Sequence, residues 1–131
     1  MIARGSLVAL AAAAPLVAAA QCEAPGAKLE SERVVVVYRT VPAKLAVGQH
    51  FVVEARVCAK GAGPAPSGLR VDADMPAHRH GMNYRAKVAP KGDGRYVAEG
   101  LLFHMPGHWR LLFDVERGGK TERLAADLNL E

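Results

Sequence analysis

Thirteen residues, Asp72-Ala-Asp-Met-Pro-Ala-His-Arg-His-Gly-Met-Asn-Tyr84, hold two His, two Met, a Pro and a Gly, and a shorter echo follows at Phe103-His-Met-Pro-Gly-His-Trp109. Four of the chain's five His and three of its four Met lie in these two patches. In an extended segment, residues i, i+2 and i+4 point to one side. His78, His80 and Met82 have that spacing and would offer two imidazoles and a thioether together. In the echo, His104 and His108 flank a Met105-Pro-Gly turn and could converge on the same place. Mixed imidazole and thioether ligation suits copper, because thioether sulfur favours the soft Cu(I) and imidazole binds copper in either oxidation state. Zinc sites more often include Cys or carboxylate and close with four ligands when structural.

The same residues also have an architectural reading. Met75 and Met105 have the flexible shape of core plugs, and Gly81 could supply a left-handed turn. His104, beside Phe103 at a strand end, could be a satisfied packing residue. Asn83 would serve the turn, Tyr84 the edge of the core, and Trp109 the core itself. Asp72 and Asp74, alternating with Val71 and Ala73, read as a solvent face rather than a catalytic carboxylate pair.

Catalytic patterns are otherwise missing from the sequence. There is no G-x-S-x-G, and beyond the first twenty residues Ser occurs only at Ser31 and Ser67. No Gly-rich loop opens a helix. The expectation is a protein that binds rather than catalyses.

Strands must position the two patches. The β-branched run in Glu32–Thr40, with Val34 to Val37 and Tyr38, resists a helix and suits a buried strand, and Val41-Pro42 ends it. His50–Cys58 alternates, with Phe51, Val53, Ala55 and Val57 on one face. Lys60–Gly68 is rich in Gly and Pro and reads as a loop. Leu69, Val71 and Ala73 mark a strand that runs into the first patch. Tyr84–Ala89 reads as a short strand before a turn at Pro90–Gly94. Arg95–Phe103 and His108–Glu116 are two more strands, the second with Trp109, Leu111, Phe113 and Val115 on one face. After Gly118-Gly119, residues Leu124, Ala126, Leu128 and Leu130 line a last strand. Six or seven strands with turns at intervals of about ten residues, and no helical period, predict an all-β chain: an immunoglobulin-like antiparallel β-sandwich, with a small barrel as the alternative.

The first twenty residues read differently. Met1–Arg4 is a short cationic head, and the apolar run from Leu7 ends in Ala18-Ala19-Ala20, the small-residue pattern of a cleaved signal peptide. The run is shorter than the roughly 20 apolar residues of a membrane span. A signal peptide over 1–20, an irregular lead-in over 21–32 and one domain over 33–131 is the expected organisation, with a periplasmic or extracellular location. Cys22 follows the leader, so lipidation there is the one route to membrane attachment; Gln21, where a small residue is usual, counts against it.

Cys22 and Cys58 are the only cysteines, and an even count in an exported chain favours a disulfide. It would close a loop of about 35 residues, which is worth about 3–4 kcal/mol in the chain-entropy model. The alternative keeps Cys58 as a free soft-metal ligand. The chain carries 17 Lys and Arg against 13 Asp and Glu, a formal +4, and loss of Arg4 with the leader lowers this by one. The basic residues are spread singly along strands, without the clustered patch and interleaved aromatics of nucleic-acid binding.

Together, the first patch, Gly94-Arg-Tyr96 and Gly100-Leu-Leu-Phe-His-Met-Pro-Gly-His-Trp-Arg110 resemble the YtkA-like domain. Met75, Pro76, His78, His80 and Gly81 fall on that family's first motif, and Met105, Gly107 and Trp109 on its second. The resemblance covers roughly Val34 to Glu116. It implies an exported or membrane-attached immunoglobulin-like sandwich, and partners among copper-handling or respiratory-oxidase assembly proteins of the envelope. It assigns no ligand. Two readings therefore remain: a binding module holding copper through His78, His80 and Met82, joined by His104 or His108, and a structural or protein-interaction domain of the cell envelope with no metal. If the sandwich is right, both patches are expected at one end of it.

Overall fold

A computed structural model describes residues 11–12 and 22–131, so the expected signal peptide lies almost wholly outside the described residues. The described chain forms nine strands and no helix: β1 (Ala27–Glu30), β2 (Val34–Val41), β3 (His50–Ala59), β4 (Gly68–Met75), β5 (His80–Gly81), β6 (Lys87–Gly92), β7 (Arg95–Leu102), β8 (Gly107–Arg117) and β9 (Lys120–Leu130). All pairings are antiparallel. One sheet has the order β1-β2-β3-β7-β6 and the other β5-β4-β8-β9. The chain is the expected β-sandwich, with two short strands added. Ala27–Glu30, expected to be irregular, pairs Leu29 with Val36 and extends the first sheet. His80–Gly81 is the other addition, and it belongs to the first His/Met patch.

The core follows from alternation. Val34, Val36 and Tyr38 of β2, and Phe51, Val53, Ala55 and Val57 of β3, face Leu69, Val71, Ala73 and Met75 of β4 and Trp109, Leu111, Phe113 and Val115 of β8. Leu124, Ala126 and Leu130 of β9 complete that layer. Burying each large aliphatic side chain contributes about 1.5–3 kcal/mol, whereas exposed ion pairs such as Arg39–Glu54 contribute about 0–1 kcal/mol. The sandwich is therefore held by this seam rather than by its surface charges. Cys22 and Cys58 are joined in a disulfide, which fastens the segment before β1 onto β3. With its sulfur in that bond, Cys22 has no thiol left to carry lipid, and Cys58 is not a free metal ligand.

β8 spans the sandwich from end to end. At its C-terminal end Arg117 is buried and faces the Lys60–Gly68 loop. Its Nε donates to Pro64 O, Nη1 to Arg33 O and Lys60 O, and Nη2 to Gly61 O and Ala62 O. A guanidinium has five N–H donors, and here each has a backbone carbonyl. This arrangement gives the Gly/Pro-rich loop its shape. The N-terminal end of β8, at Gly107, meets the end of β4 and carries the candidate site.

Candidate functional site

β4 ends at Met75, and the chain turns back through Pro76–Arg79 into β5. His78 N–H donates to Met75 O, and Arg79 N–H to Pro76 O. The left-handed residue of this turn is Arg79, at φ 53°, not Gly81 as expected. Gly81 instead sits in the ladder opposite Asp74, where a Cβ would lie 3.2 Å from Ala73 O. Met75 pairs with His80, and directly opposed residues of an antiparallel ladder share a face. Since Met75 is sunk into the core, its partner His80 is turned toward the same end of the interior.

The second patch reaches that end from the other side. Phe103 is fully buried and stacks on Trp109, with ring centroids 4.6 Å apart and planes tilted by 22°. The Trp109 indole N–H donates to Met105 O at 3.0 Å, closing the turn between β7 and β8. Gly107 holds φ 126°, and a Cβ there would stand 2.9 Å from Met75 Cε, so the two motifs interlock through a position that strains any residue but glycine. His104 projects between them.

Three imidazoles meet as a result. The His80 ring lies 5.6 Å from His78 and 5.2 Å from His104, centroid to centroid. His80 and His104 both stand edge-on to Trp109, at 6.0 and 5.4 Å. His80 is the centre of a row, in ring contact with each of the others. Its Nδ1 lies 3.0 Å from Gly81 O; donation to that carbonyl leaves Nε2 with a free lone pair. His104 Nδ1 is buried and has no hydrogen-bond partner. A buried polar atom without a partner costs about 1–3 kcal/mol, which makes it the conspicuous feature of the cluster.

The expected ligand set divides. His78, His80 and His104 come together; Met82 and His108 do not join them. Arg79, in its left-handed conformation, breaks the extended geometry that would have aligned Met82 with the two His. Met82 packs against the core and lines a side groove with Leu69, Val71, Ala86 and Val88. His108 precedes the inward-facing Trp109, so its ring emerges on the outer face, where Nε2 contacts Asp127 Oδ1 at 2.7 Å. Asp74 is not a free carboxylate either: Arg110 Nε and Nη2 donate to its two oxygens at 2.8 and 2.6 Å. Tyr84, expected at the core edge, is half exposed and packs edge-on to His50. Among the described residues, no group of three or more His, Cys, Asp and Glu is arranged to hold a metal ion. What the geometry does bring together is His80 in ring contact with His78 on one side and His104 on the other.

The fold and this end-of-sandwich cluster define a small disulfide-bonded β-sandwich whose paired motifs interlock through Met75, Gly107 and Trp109. A family model described as YtkA-like matches residues 27–113, and the chain belongs to that family. The match begins at β1 and ends within β8, and so contains both motifs. No curated protein and no solved structure matches the chain.

Proposed function

We propose that this is a non-catalytic, exported binding module of the cell envelope that carries copper on His80 and His104, with His78 beside them. One observation carries the reading: His104 Nδ1 is buried without a partner in a cluster where His80 is already oriented by a backbone carbonyl. Orientation of a ligating imidazole through its second nitrogen is the usual preparation of a metal-binding His. Two imidazoles on one ion, at metal–nitrogen distances of about 2.0 Å and a tetrahedral angle, have centroids about 5 Å apart, and His80 and His104 are 5.2 Å apart. Imidazole binds copper in either oxidation state, and two imidazoles do not make a closed four-donor zinc site. The disulfide is compatible with an oxidising compartment. Partners in this reading are envelope proteins that donate or accept copper, including assembly factors of respiratory oxidases.

The competing reading, a metal-free structural or interaction domain, is favoured by a different observation. Met75 and Trp109, the most distinctive residues of the two motifs, are 1% and 0% exposed and belong to the core. The test separates the two. The disulfide-intact domain is loaded anaerobically with Cu(I) as its acetonitrile complex, desalted, and assayed for metal. About one copper per chain is expected, falling to background in His80→Ala/His104→Ala and remaining at one in Met82→Leu. Retention well below one overturns the proposal in favour of the metal-free domain, and retention unchanged in the double variant overturns it by placing the copper on other residues.

A further inference from the structure

The outer face of the five-stranded sheet carries a second concavity, remote in kind from the imidazole cluster. Val35 and Val37 point away from the core, yet they are only 7% and 4% exposed. The segment Cys22–Pro25 lies on this face, with Ala24 and Pro25 lining a cavity beside Val37. It is fastened by the disulfide to Cys58, the register partner of Val35, and by Arg56 Nη1, which donates to Glu23 O at 2.7 Å. Between this wall and the β6–β7 turn a cavity of about 330 Å³ remains, with Val37 and Val97 in its lining.

The side chains around that apolar floor are mainly cationic: Arg39, Arg56, Lys91 and Arg95. They are brought there by register rather than by chance of loop conformation, since Arg39 opposes Glu54, Val37 opposes Arg56, and Arg56 opposes Arg95 across β2, β3 and β7. Glu54 is the one carboxylate in the lining and is paired to Arg39 at 2.6 Å. Arg95 Nε donates to Gly92 O at 3.4 Å, and its one carboxylate contact is a distant one with the exposed Asp93, at 4.0 Å. Among the described residues Lys91 makes no ion pair, and Arg56 Nε has no partner. The cavity thus combines an apolar floor with three cations whose charge nothing in the lining offsets.

We infer that this cavity binds a small amphipathic organic anion, a carboxylate on a medium-chain or aromatic body. Its volume stands at the small end of the range of ligand pockets, about 300–1,000 Å³. Guanidinium groups hold a carboxylate through charge-assisted hydrogen bonds, while the valine floor takes the apolar body. Inorganic phosphate would leave the floor unused, and a neutral alkane chain would leave the cations unspent. The disulfide then has a functional consequence, because it keeps the wall of the cavity in place.

The test is a titration of the ¹⁵N-labelled, disulfide-intact domain with octanoate, octanol and inorganic phosphate, followed by amide chemical shifts. Octanoate is expected to shift the amides of Val37, Arg56 and Val97, and to bind at least about tenfold more tightly than either control. Lys91→Gln/Arg95→Gln alters only exposed side chains and leaves the wall intact. It should weaken octanoate about tenfold and leave octanol unchanged. Octanol or phosphate binding as tightly as octanoate, shifts centred away from these residues, or an affinity unchanged in the double variant would each overturn the inference.

Discussion

The two ends of β8 treat buried polar groups in opposite ways. At Arg117 a guanidinium without a carboxylate is buried, and all five of its donors are taken up by backbone carbonyls of one loop and one strand entry. At Gly107 three imidazoles crowd together, and one of them has a buried nitrogen with no partner. The Arg117 guanidinium is complete in itself, and its chemistry is spent on holding a Gly/Pro-rich loop in shape, although Glu122 Oε2, opposite Val115 on β9, is also buried without a partner. The second end has interlocking Met, Gly and Trp residues that hold the turns, and imidazoles that touch them through edge contacts with Trp109 and the contact of His80 Nδ1 with Gly81 O. A polar group left over after the fold is satisfied is a better pointer to a ligand than residue type alone.

That contrast can be broken at either end. The largest effect is expected from Arg117→Met, which removes all five bonds and leaves carbonyls unsatisfied, at about 3–5 kcal/mol. Urea denaturation should show the loss, while copper retained per folded molecule stays at the wild-type level. A comparable loss of copper would mean that the two ends are not separable. Next is Gly107→Ala, where the backbone strain and the contact with Met75 Cε together cost about 1–3 kcal/mol. A neutral result would show that the motifs do not interlock there.

A smaller effect concerns Asp114 of β8, away from both ends. Its carboxyl is held below its ordinary value, first by the hydrogen bonds from Arg123 and then by that residue's charge, against the opposing effect of burial. A depressed carboxyl stabilises the fold above its unfolded pKa and loses that contribution as pH falls through the folded value. The thermal midpoint of the native domain should therefore exceed that of Arg123→Gln at neutral pH. The gap should narrow below about pH 4; a gap that widens in acid contradicts the assignment. Smallest of all is His108→Ala, which removes an exposed contact with Asp127, worth less than about 1 kcal/mol. It should leave copper retention untouched.

Alternation explains how much of this could be read without coordinates. The run Val34–Tyr38 announces a strand buried on both faces, and the structure buries it so, with the disulfide-held segment on the outer side. The period of two in β8 places Trp109 inward. The same period already turns His108 outward, so its place among the ligands could have been rejected from the sequence. Met82 is different: the i, i+2, i+4 rule fails there because one non-glycine residue, Arg79, adopts a left-handed conformation that its type does not favour. β1 escapes notice because four residues at a sheet edge, with a single inward Leu29, make too short a pattern. Arg117 escapes because nothing about one arginine at a strand end foretells five carbonyls, contributed by residues 33, 60, 61, 62 and 64. The meeting of His80 with His104 likewise depends on sheet order, which brings β4–β5 and the β7–β8 turn to one end.

The central claim is that the imidazoles at the Gly107 end are surplus to folding and wait for a soft cation. It is tested most directly by thermal unfolding of the wild type and of His80→Ala/His104→Ala, each without and with Cu(I). Without metal, the two midpoints should lie within a few degrees of each other, since the substituted side chains hold little of the fold together. At free Cu(I) a hundred times its dissociation constant, the wild type should gain about 2.7 kcal/mol, on the order of 10 °C for a domain of this size, and the variant should gain nothing. A wild-type midpoint unmoved by Cu(I), or a rise of equal size in the variant, would contradict the account.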